Sequence, residues 1–510
     1  MGPEPRCHRD EGANHTAASP TRATTGIEGL DAILDGGLLR GYLYVVEGHA
    51  GTGKTTLGLQ FLVDGRARHE SCLLVTTAET RDELAMTAQS HGWSLAGIEL
   101  LELSQVDIIA QPEQRQTVFR SSQLELDEIM RTIVTELERV QPARVVLDSV
   151  SVLRDMADEP FVYRRHILSL KNALTARGCT ALITDEWLES PDLHLRTLAH
   201  GVVRLTREVT SFGNQQRQVE IVKLRGLNYR SGRHDMRLDA GGIRVFPRFT
   251  APSDLTDETD YTGAFLSTGV AGLDGLLGGG LDRGTAVLIM GTTGTGKSSI
   301  AIQCVTAALQ RGQSVAVYLF DERPATWYHR AAQLCGPLRQ HITSQTLWVQ
   351  HINPAEMSPA QFAYELQHAV TQRGAELIII DSLTGYVNAM PEERFLTLHL
   401  HDMLTWLSQR GATTLMVLNQ HGLFEPSARP PIDLSYLCDT LLLLRFFEYQ
   451  GALHRALSVV KRRSGQHEHT IREMTLGPSG LTVGEPLRQF RGVLSGLPLY
   501  EGDHPSGPSR

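Results

Sequence analysis

No apolar run in the 510-residue chain approaches the ~18 residues that a membrane helix needs. The densest runs, Leu377–Ile380 and Leu441–Leu444, are short enough to read as buried strands. Residues 1–20 are rich in Pro, Ala, Ser, His and charge and have none of the apolar core of a signal peptide. Cysteine is sparse: Cys7, Cys72, Cys179, Cys304, Cys335 and Cys438 contain no C-x-x-C pair, which argues against a zinc site and a disulfide framework. Reduced thiols, no membrane and a cytoplasmic location are expected. A basic surplus is also missing. Lys+Arg is 48 against 57 Asp+Glu, a formal charge of −9, so the chain is not built for generic contact with a phosphate backbone. Hydrophobic residues at 41% and charged residues at 21% nevertheless support full cores, and the length predicts two to four domains.

What is present is a duplication. Thr25–Gly41 reads TGIEGLDAILDGGLLRG and Thr268–Gly284 reads TGVAGLDGLLGGGLDRG, identical at 11 of 17 positions without a gap. The two are 243 residues apart, and the same offset separates Lys54 from Lys297 in the strongest motif pair. Two separated blocks at one offset identify tandem domains. The expected organisation is a tail over residues 1–20, a first domain over 21–249, a polar acidic linker over 250–262, a second domain over 263–490 and a mobile tail over 491–510.

Each half alternates short apolar strands with helical periodicity. In the first half Leu43–Glu47, Ser71–Thr76, Arg144–Leu147 and Thr180–Thr184 read as strands. Thr55–Val63, Leu124–Val140 and Tyr163–Ala176 read as helices. The second half repeats the order with strands at Ala286–Met290, Ser314–Phe320, Glu376–Ile380 and Thr413–Leu418. The fold class is α/β: two tandem domains, each a mostly parallel sheet flanked by helices.

Gly48-His-Ala-Gly-Thr-Gly-Lys54-Thr55 and Gly291-Thr-Thr-Gly-Thr-Gly-Lys297-Ser298 both satisfy G-x-x-x-x-G-K-[ST] between a strand and a helix. Glycines let the backbone N–H groups converge on a phosphate, and the helix N-terminus adds positive partial charge. The nucleotide-binding set is therefore Gly48, Gly51, Thr52, Gly53, Lys54, Thr55 and Thr56, with Gly291, Gly294, Thr295, Gly296, Lys297, Ser298 and Ser299 in the second half. ATP and Mg²⁺ are the implied cofactors. Thr55 and Ser298 can ligate the metal by hydroxyl, with Asp148 at the end of RVVLD and Asp381 at the end of LIIID as carboxylates. Glu79, Asp321 and Glu322, at the end of the strand beside each loop, are the candidates to position or deprotonate a nucleophile.

Together these residues resemble the KaiC family of RecA-like ATPases over about Thr24 to Pro498. Further marks are VKLRG at Val222–Gly226, Ser435–Thr440, Val460–Arg463, Ile471–Glu473 and FRGVLSGLP at Phe490–Pro498. The resemblance implies an ATP-dependent homo-hexamer with nucleotide between neighbours, an N-terminal ATPase ring and a C-terminal ring that is both ATPase and autokinase. It also implies that Lys223 and Arg225 in the first ring, and Lys461 and Arg463 in the second, reach the neighbour's γ-phosphate. The family's acceptor pair appears here as Ser435-Tyr436, making Ser435 the expected phosphorylation site. The paired strand-end glutamates appear as Ala78-Glu79 and Asp321-Glu322. With its short tail after Pro498, the chain looks like a non-clock homologue acting as a signalling or timing hexamer, with signalling partner proteins.

Two other readings share the motifs. A RecA-like DNA-dependent ATPase would need basic or mobile loops after Asp148 and Asp381, but SVSVLRDMADEPF and SLTGYVNAMPEERF carry acids beside few bases, so nucleic acid is not the expected partner. A nucleotide-binding scaffold with little turnover is the other, and Ala78 favours it for the first domain. The H-x-H pairs His399/His401 and His467/His469 do not share a helix face and read as structural rather than metal-binding. Trp187, Trp327 and Trp406 read as core or partly buried anchors.

Overall fold

The computed structural model describes residues 21–103, 122–157, 159–187, 193–209, 215–249, 263–388, 393–420, 434–477, 480–494 and 498–500. The chain divides into two compact units between Pro247 and Arg248. The expected N-terminal tail and linker fall outside the described residues. Phe249 packs in the second unit, its ring 6.0 Å from that of Trp406.

Each unit is built on a nine-stranded sheet. In the first, the order across the sheet is Gly242–Phe246, Arg233–Asp239, Gln215–Leu224, Gly201–Val209, Leu43–Gly48, Thr180–Glu186, Arg144–Asp148, Cys72–Thr76 and Glu99–Glu102. From Gly201–Val209 to Glu99–Glu102 neighbours run parallel, and the other three strands extend the sheet antiparallel. The second sheet has the same order, with Ala286–Gly291 between Thr413–Asn419 and Thr440–Tyr449. Alternation along each central strand supplies two cores. Leu43 and Val45 face the helices Ser122–Val140 and Pro160–Ala176. Tyr44 and Val46 face the helix Lys54–Ala67.

The 17-residue repeat acquires a physical meaning. Asp31 Oδ1 accepts from both the backbone N–H and the hydroxyl of buried Thr25, each at 2.8 Å. Asp274 does the same for Thr268 at 2.8 and 2.7 Å. The glycine of each Thr-Gly pair sits in the left-handed region, with φ +76° at Gly26 and +79° at Gly269.

In the first unit the strand ending at Asp148 is anchored at its other end by Arg144, which has no exposed side-chain surface. Its guanidinium donates to Phe61 O at 2.8 Å and pairs with Asp64 at 3.0 Å and Glu70 at 2.7 Å. Asp64 belongs to the helix that follows the phosphate loop, so the pair locks that helix to the carboxylate strand. The aligned position in the second unit is Leu377, which is core. There the buried ion pair is instead Arg462–Asp282 at 2.9 Å.

The C-terminal segment differs from the expected mobile tail. Phe490–Arg491 pairs antiparallel with Leu499–Tyr500, and Tyr449 packs its ring 5.0 Å from Phe490 and 5.4 Å from Tyr500. Ring-on-ring packing of partly buried Tyr449 and Phe490 with exposed Tyr500 holds this pairing, a contact that composition did not advertise.

Arg144→Met should lower the stability of the first unit by about 3 kcal/mol, because Asp64 and Glu70 lose their buried partner. Urea unfolding of the full chain reads this. Burial alone would raise the Glu70 carboxyl, but Arg40 and Arg144 override it and hold it at about 2. The stabilisation is present above the ordinary carboxylate value and is lost as pH falls towards 2. Glu70→Gln should flatten that acid limb.

Candidate nucleotide sites at the carboxyl edges of the sheets

Both loops follow the central strand and open a helix, Lys54–Ala67 or Lys297–Gln310. Gly53 and Gly296 carry φ of +108° and +103° immediately before the lysine, a conformation that disfavours any side chain. A Cβ on Gly48 would lie 2.5 Å from Leu205 O, so the loop and the neighbouring strand touch through backbone. Thr52 and Thr295 brace the curl by donating to His49 O and Thr292 O, each at 2.8 Å. Neither helix has a side-chain cap, which leaves its first-turn N–H groups directed at an anion. Lys54 Nζ donates to Gly48 O at 2.7 Å and His49 O at 3.0 Å. Lys297 Nζ donates to Gly291 O at 2.9 Å and Thr292 O at 2.7 Å. Burial lowers both amines, with Asp148 opposing it at Lys54 and Asp381 at Lys297, and Lys297 reaches about 8.

The carboxylates arrive from the adjacent strand ends, but the two pockets are wired differently. In the first, the Thr55 hydroxyl lies 3.5 Å from Glu79 Oε1, and Asp148 accepts from Thr184. Burial and the nearby Asp148 raise the Glu79 carboxyl. In the second, the Ser298 hydroxyl donates to Asp381. Asp381 is raised chiefly by burial, and its Oδ2 is buried without a hydrogen-bond partner among the described residues. An orphaned carboxylate oxygen beside a threonine or serine hydroxyl fits a divalent cation. Asp321 accepts from Ser382, and Glu322 is ion-paired to Arg330.

The candidate neighbour-reaching cations do not enter their own chain's pocket. Lys223 Nζ donates to Arg196 O at 2.7 Å and Ala199 O at 2.9 Å, and Arg225 donates to Thr197 O at 2.9 Å. Lys461 Nζ donates to Ser435 O and Cys438 O, both at 2.8 Å, and Arg463 donates to Tyr436 O at 2.5 Å. In both units the Lys/Arg pair is docked on carbonyls at the end of a helix or turn. In the second unit that turn carries Ser435.

A protein-family model described as "ATPase: KaiC" matches residues 23–249 and again 266–488. The chain belongs to the KaiC family of ATPases. It is 26% identical over 498 residues to the circadian clock oscillator protein KaiC of Thermostichus vulcanus, covering 96% of this chain and 94% of that protein. The oscillator protein KaiC of Synechococcus elongatus is also 26% identical, over 495 residues, covering 95% and 93%. The circadian clock protein KaiC3 of a Synechocystis species is 24% identical over 481 residues, covering 93% and 94%.

Some residues of this KaiC-family chain were not singled out by motif. Arg154 pairs with Asp185 at 2.9 Å in the first pocket, where Asp185 also acts on Lys54. Buried Glu47, directly before the first loop, accepts from Arg196 at 2.7 Å and Arg204 at 2.8 Å. Arg204 stacks on Trp187, and His49 packs against the same indole at 5.1 Å. Asp185, the penultimate residue of the strand TALITDE beside the loop strand, was the available signal. Trp327 and Trp406 are buried. Among the described residues no His/Cys/Asp/Glu cluster suits a metal by itself, and the five described cysteines are unpaired by disulfides. No described helix is long and apolar enough to cross a membrane.

Because Lys297 is held near 8 before a phosphate arrives, binding Mg-ATP at pH 8.5 should take up protons. Calorimetry in two buffers of different ionisation enthalpy measures this, and zero uptake would contradict the buried-amine geometry.

Proposed function

We propose that the protein binds and hydrolyses ATP at both loops, autophosphorylates Ser435 in its second domain and works as a nucleotide-driven, cytoplasmic signalling or timing hexamer. The observation that carries this reading is the shared docking of Lys461 and Arg463 on the carbonyls of Ser435, Tyr436 and Cys438. It couples the proposed phosphate acceptor to the cations that would serve a neighbour. The relatives named as circadian clock proteins support a timing or signalling role.

Thr55 with Asp148, and Ser298 with Asp381, would hold Mg²⁺. When bound, the ion neutralises charge on the β- and γ-phosphates. The chain's own contribution starts with the loop N–H groups and Lys54 or Lys297, which bind phosphate oxygens in exchange for the carbonyls they now contact. Glu79 in the first pocket would accept a proton from water, a role supported by the burial and the nearby Asp148 that raise its carboxyl and strengthen it as a base. In the second, Asp321 and Glu322 stand at the equivalent edge. Phosphorylation of Ser435 would break the bond between the γ-phosphorus and the β–γ bridging oxygen. It would join the phosphorus to the serine oxygen and pass the hydroxyl proton to a carboxylate of the neighbour's pocket. ADP leaves with the bridging oxygen. Lys223 and Arg225, or Lys461 and Arg463, supplied in trans, would stabilise the charge of the transferring group and make turnover depend on assembly.

Incubation with γ-labelled ATP, counting released and protein-bound phosphate separately, tests the reading. Ser435→Ala should abolish the bound fraction while release continues, and mass spectrometry placing phosphate only elsewhere would reject the site. Lys297→Ala should abolish autophosphorylation, whereas Lys54→Ala should chiefly impair assembly. Equal phosphate incorporation in the two would remove that division of labour. Light scattering under saturating Mg-ATP should give a hexamer, and a persistent monomer would overturn the trans-cation mechanism.

A further inference from the structure

Arg330 was not among the motif residues, yet it stands inside the second nucleotide pocket. It projects from the helix Pro324–Cys335 and forms an ion pair with Glu322. It is close enough to Asp381 to favour that residue's charged form, and Asp381 in turn accepts from Ser298 of the loop. Arg330 Nε and Asp381 Oδ2 are both buried without hydrogen-bond partners among the described residues. The pocket thus holds two polar atoms awaiting a ligand, one cationic and one anionic.

The first pocket lacks this cation. Leu84 and Ala88 are buried at the positions of Trp327 and Ala331, which sets the helix register and aligns Thr87 with Arg330. Glu79 there faces Thr55. The first pocket's intrachain arginine, Arg154, enters instead from the helix after Asp148 and pairs with Asp185, and its aligned position in the second unit is Val387. Arg154 in the first pocket and Arg330 in the second thus reach the acidic side of the site from different elements, apart from the arginines that touch the loops themselves, Arg217 at Gly51 and Arg455 at Gly294.

We propose that Arg330 is a nucleotide-binding residue of the second pocket that exchanges Glu322 for the γ-phosphate when ATP binds, releasing the glutamate to face the nucleophile. This rests on the reading of that pocket as an ATP site. A terminal phosphate offers the guanidinium a bidentate partner stronger than a single carboxylate contact. ADP offers no such group at that end, so Arg330 stays on Glu322. The residue would report which nucleotide is bound.

The test uses the full chain carrying Lys54→Ala, which leaves the second pocket as the remaining site, and an intrachain contact requires no ring. Calorimetry compares a non-hydrolysable ATP analogue with ADP. Arg330→Gln should weaken the analogue about tenfold and leave ADP within about twofold, with Arg330→Lys recovering part of the loss. Equal weakening of both nucleotides would reduce Arg330 to a structural brace and overturn the proposal, as would no change in either. Should the unsubstituted chain bind neither nucleotide, the ATP-site reading itself fails; should binding be lost only in the Lys54→Ala chain, the second pocket needs the ring and the intrachain role of Arg330 is overturned.

Discussion

The backbone curl between the central strand and its helix is the constraint on which both sites depend. It needs left-handed glycines ahead of each lysine, a threonine that ties the loop to its own carbonyl, and close backbone approach to the next strand. With those in place, the lysine amine is held over loop carbonyls instead of in water, and its proton affinity falls. The cradle is thus preformed, and a phosphate that enters exchanges with existing contacts and does not have to organise the loop. Parallel pairing then brings Asp148 or Asp381 and the Glu79 or Glu322 strand end to the same edge of the sheet.

The two copies keep the cradle and differ around it. Arg144 in the first unit is replaced by core Leu377, while the buried Arg462–Asp282 pair braces the second. Glu47 before the first loop aligns with buried Met290, so the charged network reaching Arg196, Arg204 and Trp187 belongs to the first pocket. Duplication preserved the features set by backbone geometry and let side-chain electrostatics diverge.

Much of this was legible in the letters because the decisive signals are local. The period-2 apolar strands, the glycine spacing of Gly48–Thr55 and Gly291–Ser298, and the carboxylate closing each apolar strand all refer to neighbours in sequence. The repeat opening at Thr25 also announced its match at Thr268, although the Thr–Asp hydrogen bonds behind that identity appear only in three dimensions. Arg330, Arg154 and Glu47 escaped because their partners come from other elements, and a single arginine or glutamate on a helix or strand resembles a solvated charge. The antiparallel extension beyond Gly201–Val209 and the pairing of Phe490 with Tyr500 were hidden similarly, since each depends on cross-strand contacts and not on spacing.

The cations proposed to serve a neighbour already have partners at home. Lys223, Arg225, Lys461 and Arg463 each donate to carbonyls of their own chain. A solitary subunit therefore presents no unpartnered charge at these four side chains, and in the proposed ring they would exchange neutral carbonyls for a neighbour's phosphate oxygens, the stronger, charge-assisted partner. In the proposed ring the bound nucleotide would therefore be the deciding weight, and assembly would follow its occupancy.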